Sequence, residues 1–73
     1  MQFQPEKTYF TRGVSNDRAK ARTFYSRDAA FDAAHRFERA HKSAATEPRA
    51  YGDVFIVAIF HDRTGEFEGF IAN

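Results

Sequence analysis

Cysteine is absent from this 73-residue chain, and so are leucine and tryptophan. Without cysteine there is no disulfide, no thiolate zinc site, no iron–sulfur ligation and no thiol nucleophile. That usage fits a reducing compartment, so a cytoplasmic location is expected. No apolar run approaches the roughly 20 residues needed to span a bilayer. Met1 to Lys7 is polar, is interrupted by Pro5 and lacks the apolar core of a signal peptide. There is no Gly-rich phosphate loop, no nucleophile elbow and no serine near a plausible base. The expectation is a non-catalytic chain with no cofactor, no bound metal and no small-molecule substrate.

Lack of leucine shifts the core to aromatics. Nine Phe and three Tyr are present, and each ring can bury about 150–250 Å². A chain of this size is one domain, spanning 1–73, and buries only about 60% of its unfolded surface. Twelve rings are hard to place in one thin layer between a helix and a sheet. The net charge of +1 is unevenly spread. Residues 1–27 carry six basic and two acidic side chains, a balance of +4, whereas residues 28–73 carry five basic and eight acidic ones, a balance of −3.

The chain reads as ββαββ: an α+β fold with a four-stranded, mainly antiparallel sheet and one helix on one face. Residues 7–12 are β-branched and aromatic and read as a strand. Gly13 to Asp17 supplies turn chemistry. Residues 19–25 alternate, with Ala21, Thr23 and Tyr25 against Lys20, Arg22 and Phe24, and read as the second arm of a hairpin over 7–25. Ser26 is a suitable N-cap for a helix over 27–42, with Asp28 in its first turn. Its apolar stripe is Ala30, Ala33, Ala34, Phe37, Ala40 and His41, with Phe31 at the edge. Asp32 with Arg36 and Glu38 with Lys42 are correctly ordered i,i+4 pairs.

Residues 43–52 contain Ser43, Thr46, Pro48 and Gly52 and read as a loop. Asp53 to His61 is the strongest strand, with Val54, Ile56, Ala58 and Phe60 on one face and Phe55, Val57, Ile59 and His61 on the other. Asp62 to Gly65 is a tight turn ending in a left-handed glycine. Residues 66–72 close a hairpin over 53–72, with Phe67, Gly69 and Ile71 sharing one face and Glu66, Glu68 and Phe70 the other. A strand apolar on both faces is usually covered on both. One helix covers one face. The other is left for a segment around Phe3, a second copy of the chain or another protein.

His35 and His41, six apart on a helix, point roughly 120° apart. They and His61 read as ordinary surface, helix-end and strand-edge residues. Glu66 and Glu68, two apart on a strand, point the same way. They suit a cation or acid–base work, or simply a solvated face that discourages edge pairing. The basic hairpin interleaves Arg12, Arg18, Lys20, Arg22 and Arg27 with Tyr9, Phe10, Phe24 and Tyr25. It suits either an acidic protein surface or nucleic-acid phosphates. The candidate contact residues are therefore Arg12, Arg18, Lys20, Arg22, Arg27 and Tyr9, with Phe55, Val57, Ile59 and Phe70 on the sheet.

The stretch Thr23-Phe24-Tyr25-Ser26-Arg27-Asp28-Ala29-Ala30-Phe31-Asp32-Ala33-Ala34, a strand running through a serine cap into an Ala-rich helix before one strong hairpin, resembles small phage or mobile-element accessory proteins, including anti-CRISPR proteins. The resemblance implies a module that acts by blocking a surface on a host macromolecular complex, and it carries no site residue with it. The expected function is protein binding, to another protein or to itself as a homodimer, with nucleic-acid binding as the alternative and no membrane role.

Overall fold

The computed structural model describes residues 13–72. The expected strand at 7–12, the proposed lid around Phe3, and Tyr9, Phe10 and Arg12 lie outside the described residues. Within them the architecture is α+β. A four-stranded antiparallel sheet in the order β1-β4-β3-β2 carries one helix on one face. The elements are β1 (Val14–Ser15), α1 (Arg27–Ala40), β2 (Ala44–Tyr51), β3 (Val54–His61) and β4 (Phe67–Ile71).

The helix forms where its signals are. The Ser26 hydroxyl accepts the Ala29 N–H at 3.1 Å, and Asp32 holds Arg36 at 2.6 Å. Ala30, Ala33 and Ala34 are buried, which lets the backbone approach β3 closely. Phe37 is half-buried beside them, whereas Ala40 and Phe31, assigned to the stripe and its edge, are exposed. The Glu38–Lys42 pair does not form. The Glu38 carboxylate turns to β2 instead and accepts both the Thr46 N–H at 3.0 Å and the Thr46 hydroxyl at 2.5 Å.

Two segments depart from the expected outline. Residues 19–25 do not make a strand. Asp17 accepts the Ala19 N–H at 3.0 Å and caps a 3-10 turn over Arg18–Lys20, a local bond that competes with sheet formation. The segment then meets the sheet at two points, through the Arg22 N–H on the Ile71 carbonyl at 2.8 Å and through a two-way backbone pairing of Phe24 with Phe55 at 2.8 Å in each direction. Residues 43–52 are not a loop, because Ala44 to Tyr51 pair with β3 along its whole length. The two strands turn through Gly52 and Asp53, with Gly52 at φ +63° as a two-residue hairpin loop requires.

Pro48 is tolerated because β2 is an edge strand. Alternate residues of an edge strand point their backbone groups outward, and the Thr46–Glu38 bond identifies that set as Ala44, Thr46, Pro48 and Ala50. Ala44 N–H is bonded to the His41 carbonyl at 3.0 Å, Thr46 N–H to Glu38, and Pro48 has no N–H. The outer edge is thus closed to another strand over most of its length.

In β4, Phe60 pairs with Phe67 but Ile59 pairs with Gly69, so Glu68 is an extra residue and the strand is bulged. Strict alternation would separate Phe67 from Phe70. The bulge brings them to one side, with ring centroids 5.1 Å apart and Phe60 5.7 Å from Phe67. Gly69 has φ +134°, and a Cβ there would lie 2.9 Å from the Ser15 carbonyl oxygen and from Val14 Cγ1.

Both sheet faces are packed. On the helix side lie Phe24, Ala44, Val57, Ile59 and Ile71 with the helical alanines. On the far side Ile56, Ala58 and Phe70 are buried, with Ala21 and Phe60 against them. The far face is therefore not an open apolar surface.

Two outcomes follow. Gly69→Ala lowers unfolding free energy by about 1–3 kcal/mol, combining backbone strain with a clash against β1, measurable by urea denaturation. Combining Glu38→Ala with Pro48→Val reopens the β2 edge. The double variant then shows a concentration-dependent mass in light scattering, and the parent chain at the same concentrations does not share that edge-driven rise.

Candidate interaction surface

The expected contact residues separate into three groups. Val57 and Ile59 are 0% exposed and lie under α1, so the assignment of these two side chains to a partner surface is corrected. The alanine stripe sits on their face of β3 and seals it. Phe55 is half-buried on the same side. Phe70 is on the opposite face and is 7% exposed. What the far side does expose is its border: Phe67, 48% exposed, and Arg49, whose guanidinium lies 5.7 Å from the Phe60 ring centroid and 3.1 Å from Glu47. Alternation along β4 places Phe67 on the other face from Phe70, and nothing in the residue spacing announces the bulge.

The acidic pair is dissolved by the same bulge. Glu66 is exposed and Glu68 is 8% exposed, so the two carboxylates do not share a solvated face. The histidines are also apart in role. His35 faces the Phe31 ring on the exposed side of α1, His41 packs on Phe37 at 4.3 Å, and His61 Nδ1 accepts the Arg63 N–H at 3.3 Å. Among the described residues no group of three His, Asp or Glu side chains is placed to hold a metal ion.

Arg18, Lys20, Arg22 and Arg27 come together on one continuous segment, and all four are exposed. The segment leaves β1, crosses the end of the sheet with Ala21 on the far core, and reaches the helix side at Phe24. Three backbone bonds hold it there: Arg22 N–H to the Ile71 carbonyl at 2.8 Å and the two bonds of the Phe24–Phe55 bridge. Among the described residues these arginines have no acidic partner. Arg18 lies 5.3 Å from the Tyr51 ring centroid, Arg22 5.2 Å from Phe24 and Arg27 5.9 Å from Phe55. A guanidinium within about 6 Å of a ring face gains about 0.5–1 kcal/mol at an exposed site. The two rings joined by the bridge thus each seat a guanidinium, one from two residues before Phe24 and one from the first turn of α1. Tyr25, between them in sequence, is 85% exposed. Arg36 and Arg49 differ, since each is ion-paired with an acid on its own element.

No protein-family model, curated protein or solved structure matches the chain. Among the described residues no helix is long and apolar enough to cross a membrane.

The exposed arginines contribute little to folding. Arg18→Ala and Arg27→Ala should each cost less than about 1 kcal/mol. Phe55→Ala, which removes part of the core as well as a guanidinium seat, should cost about 2–4 kcal/mol. Urea denaturation of the three variants measures the contrast.

Proposed function

We propose that this chain is a non-catalytic protein-interaction module whose segment Arg18–Arg27 docks on an acidic surface of a partner protein. The observation that carries the reading is the seating of three exposed arginines on aromatic rings, with no ion pair among the described residues to neutralise them. A guanidinium on a ring keeps its donors turned outward and loses less side-chain freedom on binding than a mobile one. Arginine and tyrosine are also the residue types enriched among energetically dominant interface contacts. The uneven charge of the chain favours steering toward a negative partner.

Nucleic acid is served less well. Sequence-tolerant binding of single strands needs aromatic faces on which bases stack. Here Phe24 is buried and Phe55 half-buried, and both rings carry an arginine of the chain itself, which leaves Tyr25 as the single open ring of the segment where a strand needs successive stacking faces. The non-catalytic part of the reading is supported by the separation of Glu66 from Glu68 and by the scatter of the histidines.

The test is affinity purification from the native host with the parent chain and with the triple variant Arg18→Glu, Lys20→Glu, Arg27→Glu, followed by binding measurements on purified components. A partner carrying an acidic patch should bind the parent chain and bind the triple variant about 100-fold more weakly, since like charges in contact cost several kcal/mol. Affinity should fall as salt rises. Binding to generic single-stranded DNA or RNA that is equally strong, salt-steep and lost in the variant would replace this reading with nucleic-acid recognition.

A further inference from the structure

We infer that Tyr25 is the anchor of the docking surface, and that the partner protein receives its ring in an apolar cavity rimmed by carboxylates. The inference rests on the reading of Arg18–Arg27 as a docking segment and adds the shape and the second chemistry of the partner. Tyr25 is 85% exposed, whereas Phe31, Tyr51 and Phe67 are 42%, 44% and 48% exposed. Each of those three rings meets a neighbour: Phe31 the His35 ring, Tyr51 the Arg18 guanidinium, and Phe67 the rings of Phe60 and Phe70. Among the described residues Tyr25 has no such contact. A ring open on both faces is covered fully by a cavity and on one side only by a flat surface.

The open ring stands on a fixed stem. On one side the Phe24 N–H and carbonyl are both bonded to Phe55 at 2.8 Å. On the other, Ser26 caps α1: its hydroxyl accepts the Ala29 N–H at 3.1 Å and its carbonyl accepts the Ala30 N–H at 3.2 Å. Tyr25 thus lies between two tied residues, and binding has little left to order beyond its two side-chain torsions. A pre-organised tyrosine is the kind of residue that dominates interface energetics. Charge then sets the rim. Arg22 stands three residues before Tyr25 and Arg27 two after it. A chain reaches at most about 3.6 Å per residue, so their α-carbons lie within about 11 Å and about 7 Å of that of Tyr25. Asp28, in the first turn of α1, is the nearest acid in sequence, and the two arginines outweigh it. A cavity that takes the ring therefore brings its rim beside two arginines, where carboxylates are favoured.

The experiment is an NMR titration of the full chain at low salt with carboxymethyl-β-cyclodextrin, an apolar cavity of phenol size rimmed by carboxylates. Neutral β-cyclodextrin, polyglutamate and a short oligothymidylate are titrated alongside. The carboxylated host should give saturable shifts centred on Phe24, Tyr25 and Ser26, and the neutral host should bind about tenfold more weakly. Tyr25→Ala should weaken the carboxylated host about tenfold, and Tyr25→Phe should keep most of its affinity. Arg27→Gln should weaken the carboxylated host and leave the neutral one unchanged. Tyr25 and Arg27 are exposed, so these variants should keep the parent amide dispersion. Equal binding of the two hosts, shifts centred on Tyr51 or Phe67, or unchanged affinity in Tyr25→Ala would each overturn the inference. So would tighter binding of oligothymidylate at Tyr25, which assigns the ring to base stacking. Polyglutamate separates the two readings. If it binds the parent chain and not the triple variant of Arg18, Lys20 and Arg27 while Tyr25→Ala leaves the carboxylated host unaffected, the anchor fails and the docking segment stands. If it does not bind the parent chain, both fail.

Discussion

One extra residue in β4 organises the second half of the structure. A bulge at Glu68 is possible because Gly69 takes φ +134° and lets the β1 backbone come within van der Waals distance of a position that no side chain can occupy. The shift turns Phe67 and Phe70 to the same side as Phe60, and the three rings pack edge to face. That cluster borders Ile56 and Ala58, the far-face residues of β3. Without the bulge, alternation would turn one of Phe67 and Phe70 into the helix layer, where Phe24, Phe37 and Phe55 already pack with the alanine stripe. The abundance of phenylalanine and the presence of two cores are therefore one fact: the rings that do not fit under α1 are carried to the other face by a change of register.

This packing relocates the surface available for function. A strand apolar on both sides suggests an uncovered face awaiting a partner, and the far face of β3 has the right composition for one. Its central residues are nevertheless buried within the chain, and its outer neighbour β2 has its edge closed by Glu38, His41 and Pro48. The two routes by which small sheet proteins associate, face to face and edge to edge, are both narrowed. Among the described residues, the exposed segment that crosses the sheet end carries basic side chains without acidic partners.

The fold class, the helix with its serine cap, the strand β3 and the Asp62–Gly65 turn were legible because each rests on local signals: a 3.6-residue period, a capping hydroxyl, a run of β-branched residues, a glycine. What was illegible depends on bonds between distant residues. Glu38 looks like an i,i+4 partner for Lys42 but is taken by Thr46, eight residues away. Ala44–Tyr51 has the composition of a loop and becomes a strand because β3 supplies a template for all of it. Residues 19–25 have the alternation of a strand and lose it to the Asp17 cap. The basic character of 18–27 could be read from residue types alone. That its arginines would be seated on Tyr51 and Phe55 could not, since that needs the sheet order.

The Phe24–Phe55 bridge shows why core and surface cannot be separated in a chain this small. Its two backbone bonds are the only ladder contact of the basic segment with β3. The same two residues lend their rings to the helix-side core on one face and to Arg22 and Arg27 on the other. In a larger domain a leucine would fill the core and a separate surface residue would hold the arginine. A chain of 73 residues with no leucine uses two properties of the ring itself: its apolar area joins the helix-side core while its electron-rich face meets a cation. The aromatic bias that first reads as a problem of space is, on this argument, what lets one layer of side chains both close the core and fix the direction of the charges above it.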